Sequence, residues 1–339
     1  MSNVESTRIV LASRPRGRPS AQNFRTETKA LGELADGQVL LKINYLSLDP
    51  YMRGRMSDAP SYAPPLSLGD VIVGGTVGEV IESRDPAFTK GDQVLSYSGW
   101  QTHAIETGKQ LRKLDASEVS VTTALGVLGM PGFTAYSGLL TIGQPKSGET
   151  VVVAAASGPV GSAVGQIARL KGARAVGIAG GPEKCKLLKD TFGFDVAVDH
   201  RSDTFAEDLA AACPEGIDVY FENVGGPVWE AVFPLLNTFA RVPVCGLVAH
   251  YNDEGPSEGA DRLPALMSAV LRKSLTIRGF IQTEFVEAHQ AQFSREMGEW
   301  VAGGKVKYKE DIMEGLENAP EAFAGLLEGK NVGKLIIKV

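Results

Sequence analysis

The run Ala154-Ala155-Ala156-Ser157-Gly158-Pro159-Val160-Gly161 has the spacing of a phosphate-binding turn. It overlaps the end of an apolar, strand-length run at 150–156 and leads into a stretch where Val160, Ala163, Val164, Ile167 and Leu170 recur at helical intervals. A strand-to-helix turn offers free backbone N–H groups and the positive end of the helix dipole, which together attract a pyrophosphate. The run fits the dinucleotide fingerprint G-x-G-x-x-G/A with Ala156 in the first glycine slot. Gly158 would let the diphosphate approach the backbone and Gly161 would let the helix pack closely on the strand. Pro159 falls early in the helix, where a missing N–H matters little. With a strand-helix-strand pattern around it, the turn reads as a dinucleotide site, with Ser157, Gly158, Pro159, Val160 and Gly161 as its contacts.

The end of the next strand points to the kind of dinucleotide. An NAD site offers an acid there, roughly 20 residues on, for the ribose 2′-hydroxyl. This chain has Ile178-Ala179-Gly180-Gly181-Pro182-Glu183-Lys184, small and uncharged at the strand end, with its first acid followed at once by a lysine. His200 and Arg201 come just after the third strand of the series. Gly181, Lys184, His200 and Arg201 thus suit a 2′-phosphate, which a carboxylate would repel. NADPH is the expected cofactor.

Other chemistries lack their residues. Zinc needs clustered Cys, His and carboxylate ligands, but there is no C-x-x-C, and His103, His200, His250 and His289 are scattered; no metal is expected. There is no G-x-S-x-G elbow, and Cys245, closing a strand, reads as a small buried residue rather than a nucleophile. A formal net charge of -6 without a Lys/Arg cluster argues against nucleic acid. Arg14, Arg16 and Arg18 read as a short, solvated or locally paired segment. The apolar runs are too short to span a membrane, and the N-terminus shows no signal-peptide pattern. Three widely spaced cysteines suit a reducing compartment, so a cytoplasmic location is expected.

The elements that must position these groups change character along the chain. Up to about Val127, short β segments at 38–45, 74–82 and 93–98 alternate with Gly, Pro and Asp, the pattern of an antiparallel, barrel-like domain. From about Gly148 strands and helices alternate, with strands at 150–156, 173–179, 195–199, 217–223, 241–246 and 275–280. That is the pattern of a parallel sheet covered on both faces. After Trp300 short segments return and end in an apolar strand at 334–339 able to rejoin the first domain. The expected fold is α/β: a doubly wound parallel-sheet domain at 129–301 and a discontinuous β domain at 1–128 and 302–339.

Four further segments carry a family likeness across nearly the whole chain. They are Leu48-Asp49-Pro50-Tyr51-Met52-Arg53-Gly54-Arg55-Met56, Gly126-Val127-Leu128-Gly129-Met130-Pro131-Gly132-Phe133-Thr134-Ala135-Tyr136, Glu222-Asn223-Val224-Gly225-Gly226 and Asn331-Val332-Gly333-Lys334. With them the chain resembles the zinc-free branch of the medium-chain dehydrogenase/reductases, in particular the leukotriene B4 12-hydroxydehydrogenase, prostaglandin reductase and alkenal double-bond reductase family. The resemblance implies a GroES-like catalytic domain, a Rossmann domain, a nicotinamide cleft between them and a homodimer. It also implies that Asn223 contacts the ribose side, that Cys245, Gly246 and Tyr251 with Phe280, Ile281 and Gln282 line the nicotinamide half, and that Asn331 closes over it. Two departures stand out. His200 takes the place of a frequent tyrosine, so pH could affect NADPH affinity. Around Leu68-Gly69-Asp70 the Gly-His-Glu of the zinc enzymes is missing.

The chemistry so implied is reduction of the C=C bond of an α,β-unsaturated ketone or aldehyde. Hydride added to the β-carbon leaves an enolate, which needs a hydrogen-bond donor at its oxygen and a proton at the α-carbon. A neutral tyrosine hydroxyl suits the first role. Tyr251 matches the family's tyrosine near nicotinamide and substrate; Tyr51, Tyr62 and Met130 are the other substrate candidates. A quinone reductase of the same superfamily and a non-catalytic NADPH-binding sensor are the alternatives.

Overall fold

The computed structural model describes residues 4–115, 117, 119–255 and 261–339. In chain order the first strands are β1 (Glu5–Leu11), β2 (Phe24–Ala30), β3 (Gln38–Ser47), β4 (Thr76–Ser83), β5 (Gln93–Ser96), β6 (His103–Thr107) and β7 (Arg112–Lys113), with the short helix α1 (Tyr51–Arg55) after β3. Then come α2 (Met130–Ser137), β8 (Thr150–Val153), α3 (Pro159–Leu170), β9 (Arg174–Ala179), α4 (Pro182–Asp190), β10 (Val196–Asp199) and α5 (Phe205–Ala212). These are followed by β11 (Ile217–Phe221), α6 (Gly226–Val232), β12 (Leu236–Val244), α7 (Leu263–Lys273), β13 (Thr276–Gly279) and α8 (Val286–Ala302). The last elements are β14 (Glu310–Glu314), α9 (Ala319–Leu327) and β15 (Lys334–Lys338). Two compact units result: Met1–Leu125 with Glu310–Val339, and Gly126–Lys309.

In the second unit six strands pair in the order β10-β9-β8-β11-β12-β13, every pair parallel. This is the doubly wound Rossmann order, which reverses direction between β8 and β11. All four residues of β8 are buried, because a central parallel strand is covered on both faces. Val152, Val176, Ile178, Tyr220 and Val242 build one core across the strands, closed by Leu209, Val228 and Val232 from the helices. At the far edge β13 is exposed along its length.

In the first unit the sheet order is β14-β15-β3-β4-β5-β7, with β6 also on β3, and β1 and β2 form a separate hairpin. Its pairs are antiparallel except β14 with β15. Buried Trp100 stacks on Phe24 at 5.6 Å and meets Phe323 edge-on at 5.9 Å, at the centre of a core with Ile9, Leu11, Leu46 and Ile337. Of the N-terminal arginines, Arg14 donates to the carbonyls of Met56 and Leu66, and Arg18 pairs with Glu321 and Glu328.

Some local expectations shift. The strand expected at 241–246 begins at Leu236 and ends at Val244, passing through Phe239 at φ +65°. A left-handed non-glycine residue inside a strand breaks the alternation that marks strands in sequence. The stretch after Trp300, expected as short segments, contains α9, whose Ala319, Ala322 and Phe323 share one buried face. Its Pro320 sits in the first helical turn, where proline is tolerated. The stretch 252–263, whose Gly, Asp and Pro content predicts a loop that shapes the pocket, includes residues 256–260, which lie outside the described residues.

Candidate active and cofactor site

β8 delivers the chain to the phosphate turn. Beyond it Ala154 N–H donates to Phe221 O and Ala156 N–H to Ile178 O, so both neighbouring strands hold the turn. Ala155 takes the left-handed conformation at φ +51°; the conformation expected of the first fingerprint glycine therefore falls one residue before Ala156. Gly158 is the extended N-cap of α3 and Pro159 its first residue. A β-carbon on Gly161 would stand 2.5 Å from Ala155 O and 2.7 Å from Ala156 Cα, so only glycine lets the helix seat this close. At Gly158 a β-carbon would meet only Ala155 O, at 3.3 Å. Ser157 is buried, while Gly158, Pro159 and Val160 are partly open. Such a turn could hold a diphosphate on α3's leading N–H groups.

At the end of β9, Gly181 at φ +93° caps α4. His200 Nε2 and Arg201 Nε lie 2.8 and 2.9 Å from where a β-carbon on Gly180 would stand, so the imidazole and guanidinium close over the glycine pair. Lys184 lies in the first turn of α4. The sequence reading missed an acid here. Asp199, ending β10, accepts N–H bonds from Gly181 at 2.8 Å and Arg201 at 2.9 Å. Burial opposes its charge, but those two bonds and the neighbouring His200 and Arg201 outweigh it and keep the carboxyl below its ordinary value. Asp199 thus orders the loop that brings the His200 imidazole and the Arg201 guanidinium over Gly180. His200 is held below its ordinary pKa by partial burial first and Arg201 second.

Across the reversal point, β11 is followed by buried Glu222, whose Oε1 accepts from the N–H groups of Val224 (2.7 Å) and Gly225 (2.9 Å) and from the Tyr220 hydroxyl (2.9 Å). Burial raises its carboxyl pKa despite these bonds. Glu222 stood in the sequence only as the head of a family segment; its role as the acceptor that shapes this loop had no sequence signal. The loop so formed carries Asn223, whose Nδ2 donates to Ala154 O at 2.8 Å and ties it to the phosphate turn. The segment after β12 docks on the same loop, with Val248 N–H on Asn223 O and Ala249 N–H on Val224 O. That docking turns the Tyr251 hydroxyl over Gly246, 3.0 Å from where a β-carbon would stand. His250 Nδ1 pairs with Asp253 at 2.8 Å. Burial, with Glu222 adding, pushes the Cys245 thiol up to about 12, against nucleophilic use.

The other predicted residues fall in several places. Phe280 follows β13, but its ring packs on Phe221 and Phe285 and reaches to 2.4 Å of the β-carbon position of Gly138, so its side chain serves the core. Ile281 is exposed and Gln282 opens a 3-10 turn. Met130 begins α2, and its sulfur accepts from the Thr134 hydroxyl at 3.7 Å.

Tyr51, Tyr62 and Asn331 belong to the first unit. The Tyr51 phenol is raised above its ordinary pKa by burial and then by Asp49, with Tyr97 and Tyr62 adding to it. Packing on one side and then the same Asp49 charge raise the phenol of Tyr97 as well, whose ring lies beside Gly75 and is otherwise largely exposed. It was not predicted, since a lone tyrosine just past a strand has no motif around it. The Asn331 side chain donates to Gly333 O at 2.7 Å.

Among the described residues no three His, Cys, Asp or Glu side chains gather as a metal ion requires, and no helix is long and apolar enough to cross a membrane. Residues 7–114 match the family described as the N-terminal domain of oxidoreductase, and residues 159–302 the family described as zinc-binding dehydrogenase. The chain is 58% identical to the NADPH-dependent curcumin reductase of Escherichia coli (strain K12), over 98% of this chain and 96% of that protein. It is 43% identical to prostaglandin reductase 1 of Sus scrofa, over 95% of each. The crystal structure of CurA in complex with NADPH from Vibrio vulnificus superposes with a TM-score of 0.94 at 53% identity, covering 98% of this chain and 99% of that one. The parallel sheet with its phosphate turn and these likenesses together make the chain a member of the zinc-independent medium-chain dehydrogenase/reductase family, within its group of curcumin and prostaglandin reductases.

Proposed function

We propose that this protein uses NADPH to reduce the carbon–carbon double bond of α,β-unsaturated ketones and aldehydes. One observation carries the reading: the phosphate turn, the His200 imidazole with the Arg201 guanidinium, and the Tyr251 hydroxyl gather along the C-terminal edge of one parallel sheet, at and beside its reversal point, where such sheets bind ligands. The names of the relatives, an NADPH-dependent curcumin reductase and a prostaglandin reductase, supply the substrate class.

In this reading Ser157 to Gly161 cradle the diphosphate, and Gly181, Lys184, His200 and Arg201 hold the 2′-phosphate. Asn223, Cys245, Gly246, Ile281, Gln282 and the Phe280 backbone border the nicotinamide half, with Asn331. When bound, the nicotinamide supplies a hydride to the β-carbon. Tyr251 donates a hydrogen bond to the carbonyl oxygen and stabilises the enolate charge; Tyr51, Tyr62 and Met130 hold the substrate. A panel of enones, 2-alkenals and quinones, followed by NADPH oxidation and repeated with NADH, tests the proposal. Turnover of enones and alkenals with NADPH is expected. A strong quinone preference would make the protein a quinone reductase, and tight NADPH binding without any turnover would make it a sensor.

We also propose a homodimer formed through β13. Its four residues are exposed, and an unpaired sheet edge invites a second strand. Beside it in sequence, α7 exposes Leu263, Met267 and Leu271 at steps of four residues, 59%, 57% and 81% exposed. Light scattering after size exclusion is expected to give twice the chain mass, and Leu271→Asp to shift it toward one. A monomeric wild type would end this part of the proposal.

A further inference from the structure

Lys334 is the most deeply buried cation among the described residues, and the groups it binds lie 285 and 286 residues away in sequence. Its Nζ donates to Leu48 O at 2.6 Å and to Asp49 Oδ1 at 2.8 Å, with the two side chains 3% and 8% exposed. The other carboxylate oxygen of Asp49 accepts from the Ser47 hydroxyl. Leu48 N–H donates to Leu335 O at 3.2 Å, so backbone and side chain tie the same two stretches together. On the other side of Lys334 its strand partner Glu310 accepts from Thr122 through Oε2, while Oε1 is buried with no hydrogen-bond partner.

A hydrophobic pair could fill this volume at a lower desolvation cost. What an ion pair adds is direction: three bonds fix the orientation of Ser47, Leu48 and Asp49 at the end of β3. Asp49 and Pro50 carbonyls then accept the first bonds of α1, from Met52 at 3.1 Å and Arg53 at 3.0 Å. Tyr51 is the first residue of that helix. Lys334 in turn follows Gly333, whose carbonyl holds the Asn331 side chain.

We infer that Lys334 and Asp49 are positioning residues for Tyr51, their buried ion pair locking the β3–α1 junction to the Asn331–Lys334 turn so that the phenol is presented from a fixed backbone. The inference rests on the proposed function only for what Tyr51 faces. Directions of ionisation agree with it: the Asp49 charge is among the causes that keep the Tyr51 phenol protonated, hence a donor, and Asp49 opposes the loss of charge that burial imposes on Lys334.

The test is the double variant Asp49→Asn/Lys334→Met, which removes both charges and keeps the shapes, made with and without Tyr51→Phe in the full-length protein loaded with NADPH. The expected result is a loss of at least tenfold in kcat/KM for an enone, with the Kd for NADPH within about twofold of wild type, and with most of that loss gone in the Tyr51→Phe background. The same loss in both backgrounds would show a general effect on the fold and overturn the inference. A second readout needs no turnover. In protein labelled with 3-fluorotyrosine, the ¹⁹F resonance that Tyr51→Phe deletes should move toward the free amino-acid position in the double variant; an unmoved resonance would overturn the inference. Wild-type inactivity on every enone would instead defeat the proposed function while leaving the resonance to decide the inference. Where the double variant fails to accumulate, Asp49→Asn alone is read in the same two ways.

Discussion

Replacing Tyr251 by phenylalanine is expected to lower kcat for enone reduction by about 10²- to 10³-fold, the effect of removing one hydrogen-bond donor from a developing oxyanion. The substitution deletes a single oxygen and leaves the ring to pack as before. The loop that carries it is fixed by backbone bonds from Val248 and Ala249 to Asn223 and Val224, which do not involve the ring. NADPH affinity should therefore change far less than turnover, and the loss should appear in kcat and kcat/KM alike, the pattern of a contact made in the transition state. Stopped-flow oxidation of NADPH with fluorescence titration of the cofactor separates the two quantities. Unchanged turnover would remove Tyr251 from the mechanism and move the donor role to Tyr51.

The second large effect is expected at the adenosine end. Arg201→Ala with Lys184→Ala should weaken NADPH binding by about 10²- to 10³-fold, taking roughly 1.5–3 kcal/mol for each charge-assisted bond and discounting for solvent. NADH, which lacks the 2′-phosphate, should bind the double variant as it binds the wild type. NADPH affinity should also fall with added salt, and less so in the double variant. His200 gives the site a pH dependence of definite sign. Partial burial and Arg201 keep its imidazole below its ordinary value, so the free protein holds it neutral near neutral pH. A phosphate alongside favours the protonated ring, so NADPH affinity should rise as pH falls toward that value. Titrations with both cofactors across pH check all of this, and equal losses for NADH would overturn the assignment of the cations.

Local pattern made much of this fold legible. The buried run of β8 and the 3.6-residue stripe on α3 announced a strand and a helix, and the small residues between them announced the turn, because all of that information lies within twenty residues. The alternating strands and helices likewise announced a parallel sheet. Pairings distant in sequence were not legible. Nothing near Asp49 marks it as the partner of Lys334, and nothing near Gly180 says that Asp199 will be consumed by the backbone N–H groups of Gly181 and Arg201. Phe280 shows the opposite limit. The strand expected at 275–280 ends at Gly279, and the ring of Phe280 faces Gly138 and Phe221, since side-chain direction depends on neighbours that periodicity does not see. Tyr51 and Tyr251 owed their place to family motifs, because a tyrosine alone has no spacing that betrays chemistry.

The seating of β15 between β14 and β3 bears on how the chain is made. Residues 126–309 are contiguous, and a growing chain can bury their core as soon as that stretch has left the ribosome. The other unit must wait: β3 keeps one side unpaired near Ser47, and the cavity for the Lys334 ammonium stays unfilled, until the last strand arrives. During synthesis the half that carries Tyr51 is therefore the later to mature, and it is the half most in need of protection from aggregation while it waits.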